Sequence, residues 1–400
     1  MAGDLPRRRG NGKVRTGGAR VLDMVELYRA ALRADANDAR AHRGLALTLM
    51  ARAGETGRYP DEAVAALREA ARLDPGDAFA RLSLGVCLSQ RGDLDAAIGA
   101  WREAARLVPD EPLSHSFLGD ALARLGRWAE AIVEYREAVR LQPDQPSHHY
   151  NLGVALRREG MTAEAILHLS EAARLNPDQA EAHHALGWAL SDAGRSEEGI
   201  RAWQRALEIS PDRADWRSDL ALALLQHGRV AEALAELQAA VRAEPGLAEA
   251  HLRLGLTLRV SGRAEEAIAA YREAIGLRPE DPDAHHNLAN ALYELGRDEE
   301  AAAEYREEIR LLPGRAQAHV GLGNALERQG DAAGAIAAYR RATEVDPDDA
   351  MAHYNLGIAL ANQGRASEAA EAWRRARALG NPVWSARAGE RLGQGPSGTA

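Results

Sequence analysis

Residues 144–177 read DQPSHHYNLGVALRREGMTAEAILHLSEAARLNP, and this pattern recurs through most of the chain. The closing Pro177 is one of nine prolines that follow each other at intervals of 34 residues, from Pro75 to Pro347. A glycine stands 17 residues after each of these prolines, from Gly92 to Gly364. This punctuation leaves room for a helix of about 13 residues on either side of the glycine, so we predict a repeated unit of two helices.

The positions inside each unit carry a packing pattern. Leucine occupies the ninth place after the proline in every copy and returns four residues later, as at Leu152 and Leu156, which puts both on one helix face. In the second helix a small residue precedes a large one by four, as at Ala165 and Leu169. We expect the glycine to end the first helix with a positive φ. We also expect the aspartates directly after five of the prolines to cap the next helix; they are Asp110, Asp144, Asp178, Asp212 and Asp348.

The composition excludes several classes of function. The 400 residues carry a net charge of -9 with both signs well mixed, which predicts neither a nucleic-acid partner nor a membrane-surface partner. No segment approaches the ~20 apolar residues of a membrane span, so we expect no membrane insertion. The single cysteine, Cys87, excludes an intramolecular disulfide framework. We therefore expect a cytoplasmic protein.

These positions resemble the tetratricopeptide repeat, whose pattern is Trp-x2-Leu-Gly-x2-Tyr, then Ala-x3-Phe, then Pro. Within residues 144–177 the matching positions are Leu152, Gly153, Leu156, Ala165, Leu169, Ala172 and Pro177. The first tryptophan of the pattern is replaced by histidine in seven copies: His115, His149, His183, His251, His285, His319 and His353. The resemblance implies an all-α fold, a right-handed α-α superhelical solenoid of about ten tetratricopeptide repeats.

The repeat pattern also predicts the organisation of the chain. We expect a disordered basic N-terminus over residues 1–20, a half-repeat helix over 21–35 and ten repeats over 36–381. The first of these repeats has an inter-helix turn lengthened near Gly54 to Pro60. A capping helix over 382–393 and a disordered tail over 394–400 complete the prediction, since the ends of a solenoid need polar caps.

No arrangement of residues in the sequence predicts chemistry. Histidines spaced by one repeat would lie about 8–10 Å or more apart, too far to share one metal ion. Cys87 stands where most other copies have alanine, which indicates a small buried slot and not a nucleophile. The carboxylates lie beside arginines on helix surfaces, as solvated residues do. We therefore expect no enzyme, with neither cofactor nor metal.

The resemblance also implies where a partner binds, because in this family the first helices of successive repeats line a concave groove. Its groove residues lie two, five, six, nine, twelve and thirteen positions into each copy, counted so that Asn151 is in register six. Unlike the leucine and alanine positions, these registers vary from copy to copy, which indicates recognition over packing. The predicted partner-binding residues are Tyr150, Asn151, Arg157, Arg158, His184, Trp188, Asp192, Arg253, Arg259, His286, Asn287, Asn290, Tyr293, Asn324, Arg328, Tyr354 and Asn355.

These side chains suit an extended peptide or a partner protein. Asparagine amides can hydrogen-bond a peptide backbone, arginines can pair with carboxylates, and Trp188 or Tyr293 can anchor an apolar side chain. The expected function is therefore that of a protein–protein interaction scaffold or adaptor, and the alternative for each residue is a merely hydrated groove. The carboxylate clamp by which other family members hold chaperone tails needs lysines, and this chain has none after Lys13. We exclude that partner.

Two further functions remain open from the sequence. Asn151, Asn287 and Asn355 share register six, which resembles the asparagine ladder of O-linked N-acetylglucosamine transferases. The ladder is broken in the other copies and no catalytic domain of that family accompanies it. One alternative is thus a substrate-presenting arm for a glycosyltransferase carried on another chain. The other is a self-assembling scaffold, a homo-oligomer that uses the exposed half-repeat.

Overall fold

A computed structural model describes residues 24–53 and 59–393, and every regular element within these residues is an α-helix. The chain divides into two compact units, Met1–Pro177 and Asp178–Ala400. The first unit holds α1 (Met24–Ala34), α2 (Ala39–Ala53), α3 (Asp61–Leu73), α4 (Ala78–Gln90), α5 (Leu94–Leu107), α6 (Pro112–Arg124), α7 (Trp128–Leu141), α8 (Pro146–Arg158) and α9 (Thr162–Leu175).

The second unit continues the alternation of first and second helices. It holds α10 (Ala180–Asp192), α11 (Ser196–Ile209), α12 (Ala214–Gln226), α13 (Val230–Ala243), α14 (Ala248–Val260), α15 (Ala264–Leu277), α16 (Pro282–Glu294), α17 (Asp298–Leu311), α18 (Ala316–Arg328), α19 (Ala332–Val345), α20 (Ala350–Asn362), α21 (Ala366–Ala378) and α22 (Pro382–Gly393). The predicted all-α fold is confirmed, because each unit is an α-α solenoid of helix pairs.

Each helix lies within one of the segments predicted from the sequence. α1 lies within the half-repeat predicted for residues 21–35, α2 to α21 form ten pairs, and α22 coincides with the predicted capping helix. Residues 1–20 and 394–400, and residues 54–58 of the lengthened turn, lie outside the described residues. The disorder predicted for the two ends stays a prediction.

Glycine ends every first helix from α4 to α20 as predicted. All nine glycines from Gly92 to Gly364 have a positive φ, between 72° and 84°. After Gly92 the Asp93 N–H donates to the Leu88 carbonyl at 3.0 Å, which satisfies one of the free carbonyls at the end of α4. A side chain at these glycines would be strained whatever space surrounds it.

The predicted aspartate caps are wrong by one residue. The N-cap position lies two residues after the proline and not one, so Asp110, Asp144, Asp178, Asp212 and Asp348 precede it. Asp77 and Asp281 occupy the cap itself, and their side chains accept from the N–H groups of the following helix. The turn needs one more extended residue before the helix begins, and the proline-aspartate pattern does not show it.

The core follows the small-and-large pattern. Leu152 and Leu156 are fully buried, as are Ala165 and Leu169 opposite them. Gly153 makes this packing possible, since a Cβ there would lie 2.6 Å from Leu169 Cγ. Leucines and alanines at these positions therefore build the stack, and they leave the remaining face of each first helix available.

Candidate interaction face

The first helices of neighbouring repeats contact each other directly. In the first unit α4 contacts α6 and α6 contacts α8, and in the second unit the contacts run from α12 through α14, α16 and α18 to α20. We call the residues at registers two, five, six, nine, twelve and thirteen of α2, α4, α6 and α8 the first-unit face. The same registers of α10, α12, α14, α16, α18 and α20 form the second-unit face. The 17 predicted residues belong to these two faces, four to the first and thirteen to the second.

Register six and register nine are joined by hydrogen bonds in both units. In the first unit the Tyr135 hydroxyl donates to Asp120 Oδ1 at 2.7 Å, and Asn151 Nδ2 donates to the same oxygen at 3.0 Å. Burial raises the pKa of Asp120. Since Asn151 belongs to the next repeat, the asparagine ties two repeats together while it lies on the face.

The second unit repeats this arrangement with an amide as acceptor. The Tyr339 hydroxyl donates to Asn324 Oδ1 at 2.7 Å, and Asn355 Nδ2 donates to it at 3.3 Å. Asn290 Oδ1 likewise accepts from Tyr305 at 2.6 Å. Asn290, Asn324 and Asn355 are therefore held in one orientation by the scaffold.

Asn287 departs from this pattern. Its Nδ2 donates to the Asp283 carbonyl of its own helix at 2.8 Å. The preceding repeat holds Leu256 at register nine, and an apolar side chain offers no acceptor for the amide. The predicted asparagine ladder thus has two kinds of member, one bonded across repeats and one bonded within its helix.

Asp219 joins two of the predicted residues from flanking repeats. His184 Nε2 lies 3.1 Å from Asp219 Oδ2, and Arg253 Nη1 donates to Asp219 Oδ1 at 3.0 Å. The His184 ring stacks on Trp216 at 4.6 Å, and Arg253 Nε also donates to Glu249 at 2.8 Å. The Asp219 side chain is only 19% exposed, so this charge network is built into the scaffold.

The two other predicted arginines of the second-unit face also have partners in the chain. Arg259 Nη1 donates to Glu294 at 2.7 Å. The Arg328 guanidinium lies over the Tyr293 ring at 4.3 Å and donates to the Tyr293 carbonyl at 2.8 Å. In this unit the predicted arginines bind groups of the chain itself, although the sequence led us to expect them to pair with carboxylates of a partner.

Aromatic side chains on the second-unit face lean on other rings. The Tyr354 ring lies 5.3 Å from Trp384 of α22 and remains half-buried. Trp188 meets Trp203 edge to face at 5.3 Å, where it packs against the core of α11 and α12. Asp192 lies exposed at the end of α10.

The His286 side chain is paired with a buried carboxylate. Glu308 of α17 is fully buried, its Oε2 lies 2.9 Å from His286 Nδ1, and Arg315 Nη1 donates to its other oxygen at 3.1 Å. The sequence prediction included His286 but missed Glu308 and Arg315. A signal existed, because Glu308 interrupts a register that holds alanine in the flanking repeats, at Ala274 and Ala342.

The first-unit face has a different character. Tyr150 and Arg157 are half-buried on α8, and the exposed Arg158 lies over the Trp128 ring at 6.0 Å. Sequence reasoning missed the apolar residues here, Phe79 of α4 and Leu113 of α6, which are 52% and 46% exposed. Their signal was an apolar residue at register two, where the second-unit face carries mostly carboxylates.

The histidines that replace the family's tryptophan have a structural role. Nε2 of His149 donates to the carbonyl of Pro143 at 2.9 Å, and His251 and His285 make the same bond to Pro245 and Pro279 at 3.0 Å. Each ring thus fixes its first helix to the turn before it. Among the described residues no group of histidines, cysteines or carboxylates could hold a metal ion, and no helix is long and apolar enough to cross a membrane.

Comparison with known families agrees with this geometry. Sequence models of the tetratricopeptide repeat match residues 25–78, 52–112, 184–248 and 320–382, and a further one matches 282–315. A related TPR repeat model matches 119–160 and 257–296. The chain belongs to the tetratricopeptide repeat family. This family's fold supports protein–protein interaction in general, and its members generally act as scaffolds without catalysis.

Several solved structures are similar to this chain at low identity. One is the C-terminal part of a repeat protein from Cytophaga hutchinsonii, with 18% identity, coverage of 60% of this chain and 98% of that one, and a TM-score of 0.50. Another is YrrB, a TPR protein with an unusual peptide-binding site, with 22% identity, coverage of 47% and 97%, and a TM-score of 0.41. Yeast Tom70 has 14% identity over 92% and 91% of the two chains, with a TM-score of 0.42. No curated protein matches the chain.

Proposed function

We propose that the chain is an adaptor that holds an extended segment of a partner protein along the second-unit face. The observation that supports this most is the contrast between two sets of registers within the first helices. Leucine and alanine registers are buried, whereas the varied registers of α16 to α20 keep polar and aromatic side chains partly exposed. The apolar packing of the repeats does not dictate which side chains stand at these registers, which supports binding as their function.

The side chains of this face are already ordered before a partner arrives. Asn355 is held by Asn324, Tyr354 lies against Trp384, and Tyr293 lies under Arg328. A side chain that is already ordered loses less conformational entropy on binding, which favours affinity. Since the Asn355 amide nitrogen is bonded to the scaffold, its amide oxygen is the group that accepts from a backbone N–H of the partner.

The amides and aromatic rings of the second-unit face recognise the partner segment, and its arginines do not bind carboxylates of the partner. Arg253, Arg259 and Arg328 are engaged within the chain, as described above. The second-unit face carries eight carboxylates against these three arginines: Glu181, Asp192, Asp215, Asp219, Glu249, Asp283, Glu294 and Glu327. Its partner is therefore a neutral or basic segment.

Self-assembly is a second candidate, supported by α1. Met24 and Leu27 on this helix are 47% and 44% exposed, as expected for a second helix without its first helix in the described residues. Light scattering over a range of concentrations tests it, with Met24→Ser/Leu27→Ser as the variant. A constant monomer mass rejects self-assembly. The glycosyltransferase arm stays a prediction from the resemblance alone.

A peptide library tests the adaptor function. The full chain is used to select from phage-displayed random peptides, and binding of selected peptides is measured by fluorescence anisotropy. The variant Asn287→Ala/Tyr354→Ala is preferred to any change at Trp188, because Trp188 packs against the core. Its matched control is Gln204→Ala/Gln238→Ala, two exposed residues on the second helices α11 and α13.

The adaptor proposal expects the face variant to weaken binding at least about tenfold, as loss of interface anchors does, and expects the control to bind normally. Failure to select any peptide, or equal weakening by the control variant, would count against it.

A further inference from the structure

The first-unit face differs in charge from the second-unit face. Its registers hold five arginines and a single carboxylate, in a chain whose net charge is -9. The arginines are Arg40, Arg43, Arg124, Arg157 and Arg158, and the carboxylate is Asp120. Arg43 also pairs with Asp77, the cap of α4, at 2.6 Å. Because all members of the face share the repeat's packing rules, the fold itself does not require this excess of positive charge.

Register two shows the contrast most clearly. In α4 and α6 it holds Phe79 and Leu113, both among the most exposed apolar residues of the chain. In α10, α12, α14 and α16 the same register holds only carboxylates: Glu181, Asp215, Glu249 and Asp283. The first-unit face therefore offers apolar surface where the second-unit face offers negative charge.

A pocket lies on this face between α4 and α6. It has a volume of about 240 Å³, and Val86, Trp101 and Phe117 supply its apolar wall. The Trp101 and Phe117 rings stack at 5.4 Å, and Trp101 is fixed by donation from its Nε1 to the Leu82 carbonyl at 3.1 Å. The wall is therefore rigid, and it suits one apolar side chain of a ligand.

Arg124 marks the polar rim of the pocket. Its Nη1 donates to Ser89 Oγ at 3.1 Å, which holds the guanidinium across the gap between α4 and α6. The Ser89 hydroxyl is neutral and does not offset the charge of Arg124, and the carboxyl that interacts with this charge is Asp120 of the same pocket. Asp120 also lines the pocket, and burial raises the pKa of its carboxyl.

We infer that the first-unit face binds an extended segment of a partner protein in which apolar side chains alternate with carboxylates. One apolar side chain of the segment enters the pocket beside Trp101 and Phe117. The other apolar side chains of the segment contact Phe79 and Leu113, and the carboxylates between them pair with the arginines of the face. This inference rests on the proposed function, since it names the partner chemistry for a face of the same first helices.

The chain's own ends do not have this chemistry. Residues 1–20 carry Arg7, Arg8, Arg9, Lys13, Arg15 and Arg20 against Asp4, and residues 394–400 carry no charged side chain. A basic segment and a neutral one both lack the carboxylates that complement the arginines. Charge therefore favours a separate protein as the occupant.

The test uses the full chain and a labelled peptide of about 12 residues, a length that spans the three helices α4, α6 and α8 when extended. Leucine or phenylalanine alternates with aspartate in this peptide, and two matched peptides carry asparagine or lysine in place of aspartate. Fluorescence anisotropy measures binding at low and high salt. A labelled oligothymidine of similar length serves as the nucleic-acid arm.

Two pairs of charge reversals give the matched comparison. Arg124→Glu/Arg158→Glu reverses two exposed arginines of the face, and Arg68→Glu/Arg106→Glu reverses two exposed arginines on the second helices α3 and α5. A third variant, Phe79→Ser, removes apolar surface without changing charge. Circular dichroism verifies that all variants keep their helix content.

We expect the aspartate peptide to bind at least about tenfold more tightly than the asparagine peptide, with the difference shrinking at high salt. The face reversal should remove that preference, the control reversal should keep it, and Phe79→Ser should weaken both peptides. Equal binding of the aspartate and asparagine peptides would overturn the inference and leave the adaptor function standing. Tighter binding of the lysine peptide or of oligothymidine would overturn it too, whereas failure of every peptide here and in the library selection would reject both proposals.

Discussion

The phenol ring of Tyr305 lies against the backbone of Gly321, which belongs to the next repeat. A Cβ at Gly321 would lie 2.5 Å from Tyr305 Cε1. The equivalent Tyr339 lies against Gly323 of its own repeat, where a Cβ would be 2.5 Å from its Cε1. The Tyr305 repeat has Ala289 at the position of Gly323, so the first helix of its own repeat has no glycine opposite the ring.

This relationship predicts the effect of Gly321→Ala. Alanine favours a helix by about 1 kcal/mol over glycine, but overpacking against an anchored ring costs about 1–3 kcal/mol. Tyr305 is anchored by its bond to Asn290, so we expect a net loss of about 1 kcal/mol in the free energy of unfolding, measured by guanidinium titration. The control Gly276→Ala has no atom within 4 Å of the new methyl group and should stabilise the chain.

The same relationship predicts a compensation. Ala289→Gly reopens the slot within the tyrosine's own repeat, so the double variant Ala289→Gly/Gly321→Ala should be more stable than the two separate effects together imply. If Gly321→Ala stabilises the chain as much as Gly276→Ala does, the ring does not pack as described.

The buried Glu308 predicts unequal effects at the two ends of an ion pair. Arg315→Ala leaves a fully buried carboxylate without its arginine partner, and should lower the free energy of unfolding by about 3 kcal/mol. Glu308→Ala places there the residue that Ala274 and Ala342 already supply in flanking repeats, and should change it by less than about 1 kcal/mol. Adding Glu308→Ala to Arg315→Ala should recover most of the loss; a double variant as unstable as Arg315→Ala alone contradicts this account.

The fold was predictable from the sequence because the regular spacing of proline and glycine marks where each helix begins and ends. α8, Pro146–Arg158, has 13 residues, as the spacing of Pro143 and Gly160 predicts. The hydrogen bonds of the face were not predictable in the same way. The acceptor of Asn151 lies 31 residues away in the sequence, at Asp120, and only the stacking of two repeats brings them together. The role of the face residues in binding stays a prediction.

Burial of two histidines predicts that stability falls on mild acidification. Burial and then the neighbouring His149 lower the pKa of both His148 and His168 below its usual range. The folded chain thus binds fewer protons than the unfolded chain, and stability decreases as the pH falls below about 6.5, the pKa of an unfolded histidine. The ion-paired glutamates with lowered pKa, such as Glu171, lose their protective effect only at more acidic pH.

Unfolding by guanidinium at several pH values between about 7.5 and about 5.5 measures this effect. His168→Gln should make the decline with falling pH shallower, because it removes one of the histidines whose pKa is lowered by burial, which also include His319 and His353. Stability that rises toward the acidic end, or a slope that is the same in the variant, would show that the burial of these rings does not control it.

Cys87 should be unreactive in the folded chain. Its side chain is fully buried, and burial raises its pKa to about 11, so the thiolate that reacts with Ellman's reagent is scarce at neutral pH. We expect no labelling of the native protein and full labelling in guanidinium. Rapid reaction of the native protein would place the thiol at the surface, contrary to the packing of α4.

Site-specific photocross-linking tests the central claim most directly. A benzoylphenylalanine replaces Tyr293 on the second-unit face or, in a matched protein, Gln238 on the second helix α13. Each protein is irradiated with a selected library peptide and the adducts are measured by mass spectrometry. The adaptor function predicts an adduct from position 293 and none from position 238, and an adduct from position 238 alone would contradict it.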